Sequence, residues 1–232
     1  MSRLTVEICV EGLSSALAAG AGGADRVELC EHLAVGGVTP SAGAIALACR
    51  SLTIPVHVLI RPGGGDFVVS EVEFQAMRHD IATARSLGAA GVVLGVLRPD
   101  GTIDQERSGA LIADARPMSV TFHRAFDQVP DPFEALETLI DLGVDRVLTS
   151  GQAESARLGI SVLAELHARS AGRIIVLAGG RIRASDVQSL VAPGLSELHL
   201  GSAACEAGRT DVEAVRRIMK TVNECNHSDL EP

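Results

Sequence analysis

The feature that most constrains the fold is a repeat. Short β-branched runs alternate with longer segments rich in Ala, Leu, Arg and Glu, at roughly 30 residues per unit. Strands are predicted at Leu4–Ile8, Arg26–Leu29, Val56–Ile60, Gly91–Leu94, Ser119–Phe122, Arg146–Leu148, Ile174–Leu177 and Glu197–Leu200. Helices are predicted between them at Ser14–Ala19, Ser41–Arg50, Ser70–Leu87, Gln105–Ala113, Pro132–Leu142, Ser161–Arg169 and Ala184–Leu190. A last one, Asp211–Val222, places Val212, Val215, Ile218, Met219 and Val222 on one apolar face. Glycine ends several helices just before the next strand, as in Gly23-Ala24-Asp25-Arg26 and Gly143-Val144-Asp145-Arg146. Eight such units predict an α/β chain folded as a closed (β/α)8 TIM barrel. A doubly wound open sheet is the competing architecture, but its Gly-x-Gly-x-x-Gly turn is missing after the first strand, where the chain reads Cys9-Val-Glu-Gly-Leu-Ser14. No linker divides the sequence, so a single domain is expected over residues 1–222, with 223–232 as a frayed tail.

Composition narrows the function classes. Hydrophobic residues make up 47% of the 232, enough for a large core, and with 2% aromatics that core must be aliphatic. A net charge of -9 without a dense Lys/Arg run disfavours nucleic acid as a partner. No stretch approaches the ~20 apolar residues of a membrane span, and Glu7 interrupts the first apolar run, so no signal peptide or membrane partner is expected. Five cysteines, an odd number at irregular spacing, argue against a disulfide framework and for a reducing compartment, the cytoplasm.

Strand alternation predicts which side chains enter the barrel. If Val6, Ile8, Val27, Leu29, Val56, Val58, Ile60, Val120, Phe122, Leu198 and Leu200 face the helices, then Thr5, Glu7, Cys9, Glu28, Cys30, His57, Leu59, Arg61, Thr121, His123, Glu197 and His199 face inward. A structural barrel fills such positions with branched aliphatics, whereas this one carries charge. The structural explanation is an internal ion-pair network, for instance Glu28 with Arg61. The functional one is a site at the carboxyl ends of the strands, with Glu7, Glu28, His57, Arg61 and His123 in one pocket. Together with Arg124 and Asp127 these residues supply acids, bases and an anion clamp. Such a set suits proton abstraction beside a carbonyl, as in an isomerase, lyase or aldolase-like enzyme. A Schiff base is disfavoured, because no lysine stands at a strand end.

Glycine-rich turns follow the later strands: Ser150-Gly151 after the sixth, Gly179-Gly180 after the seventh and Gly201-Ser202 after the eighth. Their backbone N–H groups are candidates for binding a small anionic ligand, a phosphate or a carboxylate. The segment Arg61-Pro-Gly-Gly-Gly-Asp-Phe67 is a candidate ligand-approach loop. His79 and His167 read as solvated helix positions, Cys49 as a small core residue, and Cys225 and His227 as tail residues.

The stretches Ala24-Asp-Arg-Val-Glu-Leu-Cys30, Gly36-Gly-Val-Thr-Pro-Ser41, Pro55-Val-His-Val-Leu-Ile-Arg-Pro62, Gly64-Gly-Asp-Phe67, Val120-Thr-Phe-His-Arg-Ala-Phe-Asp127 and Leu148-Thr-Ser-Gly-Gln152 resemble the CutC family, from the first strand to about Ser202. The resemblance implies a barrel and a part in cytosolic copper homeostasis. It departs at Gly63 or Gly64, where the family usually has Arg, and beyond Ser202, where this chain is shorter. On that reading Cu(I), a soft ion that prefers thiolate, is the expected metal, with Cys9 and Cys30 as ligands on strands ~4.8 Å apart and His57 as a further candidate. The expected partners are thus a copper ion or a small anionic ligand, and a homo-oligomer is left open.

Overall fold

The structure, a computed structural model, describes residues 3–228. Its eight parallel strands are β1 Thr5–Glu11, β2 Arg26–Cys30, β3 Val56–Leu59, β4 Gly91–Leu94, β5 Ser119–Phe122, β6 Arg146–Thr149, β7 Ile175–Gly179 and β8 Glu197–Leu200. Each pairs with the next, and β1 pairs with β8, so the sheet closes into a (β/α)8 barrel. Hydrogen-bonded helices surround it: α1 Gly12–Ala21, α2 Ala42–Ser51, α3 Glu71–Ser86, α4 Gln105–Ala115, α5 Pro132–Asp141, α6 Ile160–Ser170, α7 Val187–Val191 and α8 Val212–Ser228.

The local reasons lie in the sequence. Several helices start on a side-chain cap: Ser41 accepts from the Ala44 N–H, Ser70 and Glu73 form a capping box, and Asp104 and Asp131 cap α4 and α5. The β-branched residues of the strands, such as Val6, Ile8, Val27, Val58, Val92 and Val120, point outward and are buried under the helices. Val215, Ile218, Met219 and Val222 of α8 complete this outer core. Inside the barrel a much smaller apolar cluster, Cys30, Leu59 and Val93 with Cys9 against it, shares the interior with buried polar groups such as Glu7, Glu28, His57 and Glu197.

Three expectations need correction. The predicted helix Ala184–Leu190 is a 3₁₀ turn, Ala184–Asp186, followed by the short α7, because buried Asp186 caps its own turn through the Arg183 N–H and pairs with Arg157. A two-stranded hairpin, β9 Cys205–Glu206 with β10 Arg209–Thr210, occupies the stretch before the last helix, where no strand is predicted. The tail from Asn223 is helical through Ser228, anchored where Asn226 accepts from the Leu4 N–H; residues 229–232 lie outside the described residues. Among the described residues no helix is long and apolar enough to cross a membrane.

Candidate functional site at the barrel mouth

Alternation places the charged residues inside. Glu7 is fully buried and accepts from Arg26 Nε at 2.6 Å, while Arg26 Nη2 donates to Glu197 at 2.5 Å. Arg146 donates to the same Glu197 oxygen at 2.8 Å and to the Ser119 hydroxyl at 2.7 Å. The barrel floor is therefore a chain of alternating charge, Arg146–Glu197–Arg26–Glu7. It differs from the predicted pair of Glu28 with Arg61, since the two side chains turn to other partners. Arg26 and Arg146 were missed as interior residues, although each stands two positions before an inward-facing residue and strand periodicity would have found them.

The layer above is the site. His199 Nδ1 lies 2.7 Å from Glu7 Oε1 and 3.5 Å from Glu28 Oε2. Cys9 Sγ is 3.9 Å from Cys30 Sγ, and the Cys30 thiol also donates to the Val10 carbonyl. The ligand atoms of Cys9, Glu28 and His199 lie within 4.8 Å of one another. A cavity of about 190 Å³ opens above them, lined by Cys9, Glu28, Cys30, His123, Arg124 and His199 among others. Of the five residues predicted to share a pocket, Glu28, Arg61 and His123 line this cavity; Glu7 and His57 also lie inside the barrel but beneath it. His57, on β3, sits 3.8 Å from Glu7 and does not line the cavity.

Burial drives the electrostatics. It would raise the Glu7 carboxyl, but the His199 hydrogen bond and the Arg26 charge outweigh it and hold the group well below the usual carboxylate range. Burial pushes Glu28 up to about 7 against the pull of His199, and the negative charge of Glu7 adds to the rise. For His199 burial acts downward, yet its bonds to Cys9 and Glu7 and the two carboxylate charges raise it well above the ordinary value. Its hydrogen bond to Cys30, then burial, raises the Cys9 thiol well above the usual range. Burial lowers His57 to about 4 and His123 to about 3, so both rings are neutral near pH 7.

Other predicted residues have structural work. Arg61 donates to the Val35 and Gly37 carbonyls at 3.2 and 3.0 Å and to the Gly65 carbonyl at 2.8 Å, tying two mouth loops together. Its guanidinium also stacks 4.9 Å from the Phe67 ring, which in turn lies 4.8 Å from the His123 ring. Arg124 donates to Asp127 and Ser150. The Asp127 carboxylate accepts from the Ser150 and Gln152 N–H groups and from Thr149 Oγ1, while the Gly151 N–H donates to Thr149 Oγ1. The Ser150-Gly151 turn thus already holds an anion, the protein's own. Gly179 and Gly180 pack against Leu148, His199, Ser150 and Arg124, and Gly201 faces Cys9; Ser202 starts a three-residue 3₁₀ turn.

Close packing fixes the imidazoles. A Cβ on Gly95 would stand 2.6 Å from His123 Cε1 and Nδ1, so only glycine fits there. Gly95→Ala is expected to displace the His123 ring and lower stability by about 1–3 kcal/mol. Urea unfolding checks this, and a loss under about 0.5 kcal/mol would show the ring is not held there.

A barrel whose mouth gathers two thiols, an imidazole and a carboxylate over a charged floor defines a TIM-barrel protein with a soft-donor site. The CutC family model matches residues 4–204, and the chain belongs to the CutC family. It is 50% identical over 198 residues to the family protein CutC of Mesorhizobium japonicum, covering 85% of this chain and 77% of that one. The human copper homeostasis protein cutC homolog is 48% identical over 195 residues, covering 84% of this chain and 71% of the human one. The crystal structure of the putative copper homeostasis protein CutC from Streptococcus agalactiae superposes with a TM-score of 0.81 at 33% identity, covering 86% of this chain and 98% of that one. Thiamine phosphate pyrophosphorylase from Pyrococcus furiosus, at 14% identity and a TM-score of 0.65 over 96% of this chain and 97% of that one, shares the fold alone.

Proposed function

We propose that this protein takes part in copper homeostasis in the cytoplasm by binding Cu(I) through Cys9 and Cys30. The observation that carries this reading is the 3.9 Å separation of the two sulfurs at the cavity floor. Two metal–thiolate bonds of about 2.3 Å, the length known for zinc, reach up to about 4.6 Å, so a single ion spans the gap without backbone movement. A soft monovalent ion favours thiolate over the neighbouring carboxylates. His199 stands beside Cys9 as a third donor, in place of His57, which lies too deep. The thiol state also fits a reducing compartment, since all five cysteines are free.

The raised Cys9 thiol keeps its proton at neutral pH, so metal binding must displace it and affinity rises with pH. Competition against a Cu(I) chelator under reducing conditions measures this directly. Cys9→Ser and Cys30→Ser are each expected to lose at least about a hundredfold in affinity, because a hydroxyl is a poor partner for a soft ion. Cys49→Ser and Cys225→Ser are expected to leave it unchanged. Equal affinity in wild type and the Cys9/Cys30 double variant would make the inward thiols packing residues and end the reading.

A further inference from the structure

We propose that the mouth cavity also binds a small hydroxycarboxylate, whose carboxylate accepts a hydrogen bond from His123 Nε2–H and whose hydroxyl donates to Glu28. The inference is separate from copper binding and uses different side chains. Its starting point is the His123 ring, which is 6% exposed yet lines the cavity. The Ala125 N–H donates to His123 Nδ1 at 3.2 Å, so that nitrogen carries no proton. In the neutral ring the proton then sits on Nε2, for which the described residues offer no acceptor. Gly95 closes off the Cε1–Nδ1 edge and Phe67 covers one face, which leaves the Nε2 edge to the cavity. The Nε2–H reaches the cavity, where a ligand oxygen takes the place of water as its acceptor.

The rest of the cavity sets the ligand's chemistry. Arg61 and Arg124 line the cavity with His123; Arg124 is paired with Asp127, whereas Arg61 is bonded only to carbonyls, and its charge favours a carboxylate over a neutral carbonyl. On the cavity floor Glu28 has no arginine partner among the described residues and accepts a hydrogen bond from a ligand hydroxyl. Phe67, Leu59 and Leu148 supply the apolar surface for a short carbon skeleton. At about 190 Å³ the cavity has room for an acid of a few carbons.

Lactate is the probe, with propionate lacking the hydroxyl and propane-1,2-diol lacking the carboxylate. In wild-type protein lactate is expected to shift the His123 Nε2–H signal in ¹H–¹⁵N spectra with a saturable dependence, propionate to bind more weakly, and the diol not to bind. His123→Phe is expected to weaken lactate by about tenfold or more while retaining Cu(I) affinity. His123→Gln, which keeps a donor, is expected to restore part of the loss. Cys30→Ser is expected to lose Cu(I) and keep lactate, so each reading can fail alone. No saturable lactate shift in the wild type overturns the proposal, even if the Phe variant does not fold. Lactate affinity unchanged in a folded His123→Phe variant, or diol binding as tight as lactate, overturns it as well.

Discussion

Arg26→Leu is expected to destabilise the protein by about 3–5 kcal/mol, the usual result of removing one partner of a buried ion pair. Arg26 is 5% exposed and bridges Glu7 to Glu197 through bonds of 2.6 and 2.5 Å. Without it Glu7, which water does not reach, keeps only the His199 and His57 rings for compensation. Glu197 still has Arg146, so the damage concentrates on Glu7. Adding Glu7→Gln to the variant is therefore expected to recover at least about 1 kcal/mol, a coupling that distant residues do not show. Urea unfolding of the four species closes the cycle. A loss below about 1 kcal/mol for Arg26→Leu would mean that the floor is held by packing and not by charge.

A second large effect is acid lability. His57 and His123 are lowered to about 4 and about 3, whereas unfolded histidine titrates near 6.5. Their depressed values contribute stability that is fully present above pH 6.5 and is lost as pH falls toward 4 and 3. Between those limits the unfolded chain binds two protons that the folded chain refuses. Glu28 acts the other way: raised to about 7 from 4.5, it contributes stability that grows as pH falls through that interval. The two rings outweigh the one carboxyl, so stability is expected to fall by about 1 kcal/mol per pH unit between about pH 6 and 5. Lowered Glu7 adds to the loss only below pH 4.5. Replacing His57 by Gln should flatten the slope almost completely, because one histidine then balances Glu28. A wild-type unfolding midpoint that stays constant or rises on acidification across this interval would contradict the assignment of two neutral rings.

Much of this is legible in the sequence. The two-residue period of Thr5-Val-Glu-Ile-Cys9 and Arg26-Val-Glu-Leu-Cys30 fixes Glu7, Cys9, Glu28 and Cys30 as interior, because the β-branched alternates need the helices. Depth along the barrel axis was not legible. A strand shows which side chains point inward, but the stagger between strands decides which of them meet at one level. Hence Glu7 and His57 fell in with Glu28, although Glu7 lies beside Arg26 and His199 in the register. Loop partners were equally hidden. Arg61 reads as an anion clamp by charge and position, yet its donors find carbonyls of residues 35, 37 and 65, which no periodicity encodes. The Ser150-Gly151 turn has the composition of an anion nest and is one, filled from 23 residues upstream by Asp127.

The tie made by Arg61 bears on how this protein tolerates change in length. Loops at a barrel mouth ordinarily accept insertions independently of one another. Here the segments around residues 35–37 and 62–67 share one guanidinium, and Thr39 is bonded to the Arg61 backbone in both directions. An insertion in either segment moves a carbonyl that the same side chain must still reach, so the two loops can lengthen only in concert. Their spacing is a property of the pair, and a graft of one loop from a relative succeeds only if its counterpart travels with it.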